Sequence, residues 1–198
     1  MLLIHNTSQV IQLTPEPQRG AELGTLNILP HGAVLIDGEH ILAVGEPAEL
    51  LLAHPEADLL DAGGKAVLPG FVDPHTHLVW AGDRLDEFEM RLQGKSYLEI
   101  MAAGGGIAAT LQATRAASFE ELLAQTRERA HNAFAHGTTT LEAKTGYGLD
   151  IETELRQLEV ILKLDEEGPL ELIPTYLGAH AIPPEFAGNA EGYTDFLC

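Results

Sequence analysis

Two histidines one residue apart, His75 and His77, close the run Val67-Leu68-Pro69-Gly70-Phe71-Val72-Asp73-Pro74-His75-Thr76-His77. Side chains alternate across a strand, so the two imidazoles are expected to share a face, with backbones roughly 6.6 Å apart. Neutral imidazole ligates zinc, iron and other first-row divalent ions, and a catalytic site adds further ligands while leaving one position open for water. Pro69-Gly70 punctuates the entrance to the run and Phe71-Val72 supplies a short apolar core, which places the histidines at the C-terminal end of a strand. In a parallel α/β barrel that is the end at which active sites are built.

Five further segments follow in order: Ala81-Gly82-Asp83-Arg84, Arg91 to Tyr97, Ala103 to Ile107, Glu142-Ala143-Lys144-Thr145-Gly146-Tyr147-Gly148-Leu149, and Leu177-Gly178-Ala179-His180-Ala181. Together with the His-x-His strand they resemble the imidazolonepropionase family of the amidohydrolase superfamily, and the resemblance runs from the first strands to about Glu185. It implies a (β/α)8 barrel with a composite β domain, and one bound zinc or iron ion. The implied reaction is hydrolytic opening of 4-imidazolone-5-propanoate to N-formimidoyl-L-glutamate in histidine degradation. By the same resemblance His75 and His77 are metal ligands, and Arg84, Tyr147 and His180 contact substrate. No residue of this chain takes the proton-transferring role. The rival readings are another amidohydrolase, a deaminase or cyclic amidase, and a noncatalytic assembly module.

The residue types are compatible with these roles. Arg84, seven residues beyond His77, carries a guanidinium able to grip a carboxylate bidentately. Tyr147 offers a phenol between two glycines, and His180 a neutral donor or acceptor just past a strand. Lys144 either attracts the propionate or pairs with a neighbouring carboxylate. His5, His31, His40, His54, His131 and His136 read as structural or solvated residues. Gly104-Gly105-Gly106 lacks the Lys-Ser/Thr of a phosphate-binding loop and reads as a turn between helices.

The elements that must position these groups fall into two parts. Residues 1–65 show short apolar runs, Leu2 to Ile4, Val10 to Leu13, Ala33 to Ile36 and Ile41 to Val44, which read as strands of a small β-sandwich-like domain. Asp37-Gly38 signals a hairpin, and Pro47 to His54 a short helix. Residues 66–198 alternate strand and helix, the pattern of parallel pairing through right-handed crossovers. The strands are 67–77, Thr138 to Ala143 and Leu170 to Leu177. Helices are expected near 96–103 and 107–116, from a Ser118/Glu121 capping box to about Ala135, and after Asp150 with Leu155, Leu158, Ile161 and Leu162 buried. The fold class is therefore α/β, a partial TIM-type (β/α) barrel of about three βα units. A closed barrel needs eight units. The expectation is an N-terminal half of an enzyme, inactive alone, that self-associates or pairs with a missing C-terminal half.

Composition narrows the partners. Eleven Lys and Arg against thirty Asp and Glu give a formal charge of −19, which disfavours nucleic acid and anionic lipid. The acidic excess falls largely on 118–129 and 150–167, read as solvated helix faces, and the cations available to an anionic substrate are Arg84, Arg91, Lys95 and Lys144. Cys198 is the single cysteine, so no intrachain disulfide forms. With no signal-like or membrane-spanning stretch, the expected location is the cytoplasm.

Overall fold

A computed structural model of the chain describes residues 1–14 and 16–198 and divides into two units, Met1–Pro69 and Gly70–Cys198. In the first unit the strands are β1 (Leu2–His5), β2 (Gln9–Gln12), β3 (Asn27–Pro30), β4 (Ala33–Asp37), β5 (His40–Gly45), β6 (Asp58–Asp61) and β7 (Ala66–Val67), with helix α1 at Pro47–Ala53. They form two sheets, of order β5-β4-β1-β6 and β3-β2-β7. Asp37 pairs with His40, so the β4–β5 turn consists of Gly38 and Glu39, and Gly38 takes the left-handed conformation (φ +56°) that such a turn demands. Leu3, Ala33, Leu35 and Ala57 form the buried centre, with Ala43 and Leu50 packed on it. Residues Ala66 and Val67 pair with Gln9 and Val10, so they belong here and not to the strand bearing the histidines. That strand is correspondingly shorter than the 67–77 span expected from sequence.

The second unit carries β8 (Phe71–Thr76), α2 (Leu85–Leu92), α3 (Tyr97–Ala102), α4 (Ile107–Ala116), α5 (Phe119–Ala135), β9 (Thr138–Lys144), α6 (Ile151–Glu167), β10 (Glu171–Thr175) and α7 (Ala190–Leu197). Its three strands lie parallel in the order β8-β9-β10, linked by helical crossovers, and no closed barrel forms among the described residues. The starts of the two long crossover helices follow from local chemistry. Ser118 and Glu121 make a reciprocal capping box at the start of α5, and the Asp150 carboxylate accepts the Thr153 N–H at the start of α6.

Alternation along β9 sends Leu141 and Ala143 into an apolar cluster with Leu122, Val160, Ile161, Leu164 and Leu172. It leaves Thr140, Glu142 and Lys144 on the opposite face. The buried line of α6 differs from the expected one: Leu155 and Leu162 are 49% and 52% exposed, while Glu154, Gln157, Val160, Ile161 and Leu164 are buried. The face is rotated toward two polar residues, Glu154, which accepts three backbone N–H groups, and Gln157, whose amide donates to the Val79 carbonyl, and a hydrophobic pattern registers neither. Phe134, near the end of α5, is 38% exposed.

Candidate active site

The second unit gathers the singled-out residues at the C-terminal ends of its parallel strands. His75 lies in β8 and is exposed, whereas His77 sits one residue past the strand and is half-buried. The β8–β9 pairing shifts between Asp73 and Thr76, so simple alternation does not carry through to His77. Thr76 secures the strand end, its hydroxyl donating to the Glu142 carbonyl at 2.7 Å.

His77, Tyr147 and His180 come from the ends of three different strands and meet ring against ring. The His77 and His180 centroids are 4.4 Å apart, His77 and Tyr147 4.9 Å, and Tyr147 and His180 5.7 Å. Burial, with His180, Lys144 and His75 nearby, pushes the His77 imidazole down to about 4, partly offset by the Thr145 backbone. The ring is therefore neutral near pH 7, the form that ligates metals. Its Nδ1 is one of two buried side-chain atoms among the described residues that have no hydrogen-bond partner.

The segment after His77 is held from behind by three side chains of the helical layer. Gln157 donates to the Val79 carbonyl at 2.7 Å, Thr114 accepts the Ala81 N–H at 3.1 Å, and Arg129 donates to the Leu78 and Trp80 carbonyls while its guanidinium lies 3.6 Å over the Trp80 ring. Such supports hold a ligand or substrate group in one geometry.

Arg84 stands at the N-cap of α2, a helix that sequence patterning did not reveal. Its Nε and Nη2 donate to the Thr110 hydroxyl at 3.1 and 3.0 Å. Glu87 Oε1 lies 3.7 Å from Nε and accepts the Gly106 N–H at 2.6 Å. Trp80, Asp83, Arg84, Thr110 and Tyr147 line a cavity of about 420 Å³, so Arg84 and Tyr147 face the same space.

Of the other proposed cations, Lys144 is buried and pairs with Glu142 at 2.9 Å; Glu142 also accepts the Thr175 hydroxyl at 2.9 Å, and these hydrogen bonds, Lys144 first, hold its carboxyl below the usual glutamate range. Lys95 lies 3.9 Å from Glu99 on α3. Arg84 is the member of the set that lines the cavity. One of the expected solvated acids, Glu154, is buried and bound to backbone N–H groups, and Glu87, outside those helix faces, is buried in the same manner.

The donors fit part of a metal site. A neutral, half-buried His77 and an exposed His75 could each give one nitrogen, but among the described residues no group of three or more His, Cys, Asp or Glu could hold an ion. Two imidazoles are half of a usual set.

Residues 32–57 match the family model of an imidazolonepropionase-like composite domain of bacteria, and residues 58–133 that of the amidohydrolase family. The imidazolonepropionase of Herpetosiphon aurantiacus is 49% identical over 195 residues, covering 98% of this chain and 45% of that protein. That of Chloroflexus aggregans is 48% identical over 99% of this chain and 46% of that protein. The chain thus spans about half the length of the curated relatives it matches. Among solved structures, Escherichia coli guanine deaminase superposes with a TM-score of 0.59 at 19% identity, over 89% of this chain and 37% of that one. Atrazine chlorohydrolase of Arthrobacter aurescens, solved with zinc, gives 0.55 at 18%, over 88% and 35%. At such identities the structural likeness speaks for the fold alone. The family matches and the relatives nearly half identical along almost its whole length agree that the chain is similar to about half of an imidazolonepropionase, within the amidohydrolases.

Proposed function

We propose that residues 1–198 supply the substrate-gripping half of an enzyme that hydrolyses 4-imidazolone-5-propanoate to N-formimidoyl-L-glutamate. The observation that carries the reading is the 44–49% identity to imidazolonepropionases along 97–99% of the chain. The convergence of His77, Tyr147, His180 and Arg84 at one end of the parallel sheet supports it.

In the reaction, water adds to the ring carbonyl carbon, the adjacent ring C–N bond breaks, and the departing nitrogen takes up a proton. His75 and His77 would hold a zinc or iron ion together with ligands from outside this chain, and the ion would supply Lewis acidity to the attack of water. Arg84, anchored along one edge by Thr110, presents its remaining N–H groups to the propionate. The Tyr147 hydroxyl and the His180 ring orient the imidazolone, so their contribution is positioning as much as charge stabilisation. The proton-transferring group lies outside residues 1–198. The location we propose is the cytoplasm; among the described residues no helix is long and apolar enough to cross a membrane. Partners beyond the substrate are a second copy or the remaining half of the enzyme.

The test is a substrate panel on the full-length protein that contains this chain. Formation of N-formimidoyl-L-glutamate from the imidazolone, without turnover of guanine or hydantoin, is expected. Turnover of guanine or hydantoin in preference to the imidazolone would replace this reading with that of another amidohydrolase.

A further inference from the structure

The geometry points to Glu154, a buried acid on α6 that touches neither the proposed metal ligands nor the cavity, as the positioning residue that aims Tyr147 at the substrate. The inference rests on the reading of Tyr147 as a substrate contact. Glu154 is fully buried. Its Oε2 accepts the Gly146 N–H at 2.9 Å, and its Oε1 accepts the N–H groups of Gly148 and Leu149, both at 2.7 Å. Two of the three donors are the immediate neighbours of Tyr147. Among the described residues no cation forms an ion pair with this carboxylate. Backbone N–H groups are its partners, and charge-assisted bonds of this kind are the strong ones.

The loop needs such a fastening. Leu149 is held at φ +56°, a left-handed conformation that strains a residue bearing a Cβ. Gly146, at φ +114°, leaves no room for a side chain, since a Cβ there would come within 2.8 Å of the His180 Cβ and 3.0 Å of the Leu177 carbonyl. A Cβ on Gly148 would lie 2.7 Å from the Thr153 Cβ and 2.8 Å from the Glu154 nitrogen. Between Thr145 and Leu149, Tyr147 alone is not buried. The carboxylate thus draws the backbone inward on both sides of Tyr147 and leaves its ring as the part that reaches the cavity and packs on His77 and His180. Arg115 holds the same loop from the carbonyl side, donating to Gly148 O at 2.7 Å, so losing Glu154 loosens the loop without releasing it.

Three measurements on the full-length, metal-loaded protein test this. Glu154→Gln keeps the shape but puts an amide NH2 where an oxygen accepted backbone protons. We expect kcat/KM for 4-imidazolone-5-propanoate to fall about tenfold, chiefly through KM, with metal content unchanged. A merely structural role would instead lower the melting temperature and the active fraction at unchanged KM, and that result overturns the proposal. In a double-mutant cycle with Tyr147→Phe the two losses should be markedly less than additive, because the carboxylate acts through the tyrosine; additive losses also overturn it. Hydrogen exchange of the Gly146–Leu149 amides should quicken in Glu154→Gln, and unchanged exchange refutes the fastening itself. Where Glu154→Gln does not fold, Gly148→Ala disturbs the same contact from the loop side and should give the same KM effect; a wild-type KM then counts against the idea. If the wild-type protein does not turn over the imidazolone, the functional reading fails, while the exchange measurement still decides whether Glu154 orders the loop.

Discussion

Replacing Arg84 by lysine probes the part of the site where geometry and charge can be separated. Both side chains are cationic, but the guanidinium donates along one edge, Nε and Nη2, to the Thr110 hydroxyl and also lines the cavity. Lysine has a single nitrogen and cannot be anchored at Thr110 and reach a carboxylate in a planar two-point grip at once. The loss is about one hydrogen bond to a charged group, ~1.5–3 kcal/mol. The Arg84 side chain is 45% exposed, so solvent screening favours the lower end. At about 1.4 kcal/mol per factor of ten, KM for 4-imidazolone-5-propanoate should rise roughly tenfold in the full-length enzyme, with kcat changed by less than about threefold. Thr110→Val, which removes the anchor and leaves the guanidinium, should raise KM by a smaller factor. Steady-state kinetics with matched metal content measures both. A KM for Arg84→Lys within about twofold of wild type, or a loss confined to kcat, would refute the assignment of Arg84 to the propionate.

Three other outcomes follow from the packing and charge. Ile161, fully buried in the apolar cluster under β9 and β10, should cost about 2–5 kcal/mol on Ile161→Ala in chemical denaturation, whereas Leu155→Ala, at an exposed position, should cost less than about 1 kcal/mol; equal losses would place the α6 core face wrongly. Glu142, Glu167 and Glu185 are held below the usual glutamate range by hydrogen bonds from Lys144, Arg127 and Arg115 respectively, so the unfolded chain binds more protons than the folded one through that range. Stability is then full above the ordinary glutamate range and declines as pH falls through and below it, less steeply for Glu142→Gln; a melting temperature that stays flat on acidification contradicts the pairings. The 198-residue chain by itself leaves Phe71, Val72 and Ile173 of its parallel sheet 54%, 65% and 46% exposed, and should self-associate and bind a hydrophobic dye at micromolar concentration; a dye-silent monomer in sedimentation would show that these side chains need no cover.

Much of the site was legible because its signals are local. His-x-His after an apolar run, a tyrosine between glycines, and Gly-Ala-His after a third strand each announce themselves within a few residues. The capping box at Ser118 and the hairpin at Gly38 were readable for the same reason. What escaped depends on distant partners. Glu154 and Gln157 look like the solvated face of an acidic helix, and only the folded chain shows backbone donors at Gly146, Gly148 and Leu149, and the Val79 carbonyl, waiting for them. Helix α2 was missed because Asp86, Glu87 and Glu89 interrupt its apolar residues, and one of those acids, Glu87, turns inward to cap the Gly106 N–H. Strand β7 is two residues long and is defined by its pairing with β2, which no local pattern announces. The four candidate cations could not be ranked by sequence, since Lys144 and Glu142 share a strand face two residues apart and neutralise one another.

The central claim is that His75 and His77 hold the ion on which imidazolone hydrolysis depends. Metal analysis and turnover of 4-imidazolone-5-propanoate, measured together on the full-length protein and on its His75→Ala and His77→Ala variants, test it most directly. The account predicts about one zinc or iron ion per wild-type chain, and parallel loss of bound metal and turnover in each variant while the fold is retained. Wild-type metal content and undiminished turnover in either variant would contradict it.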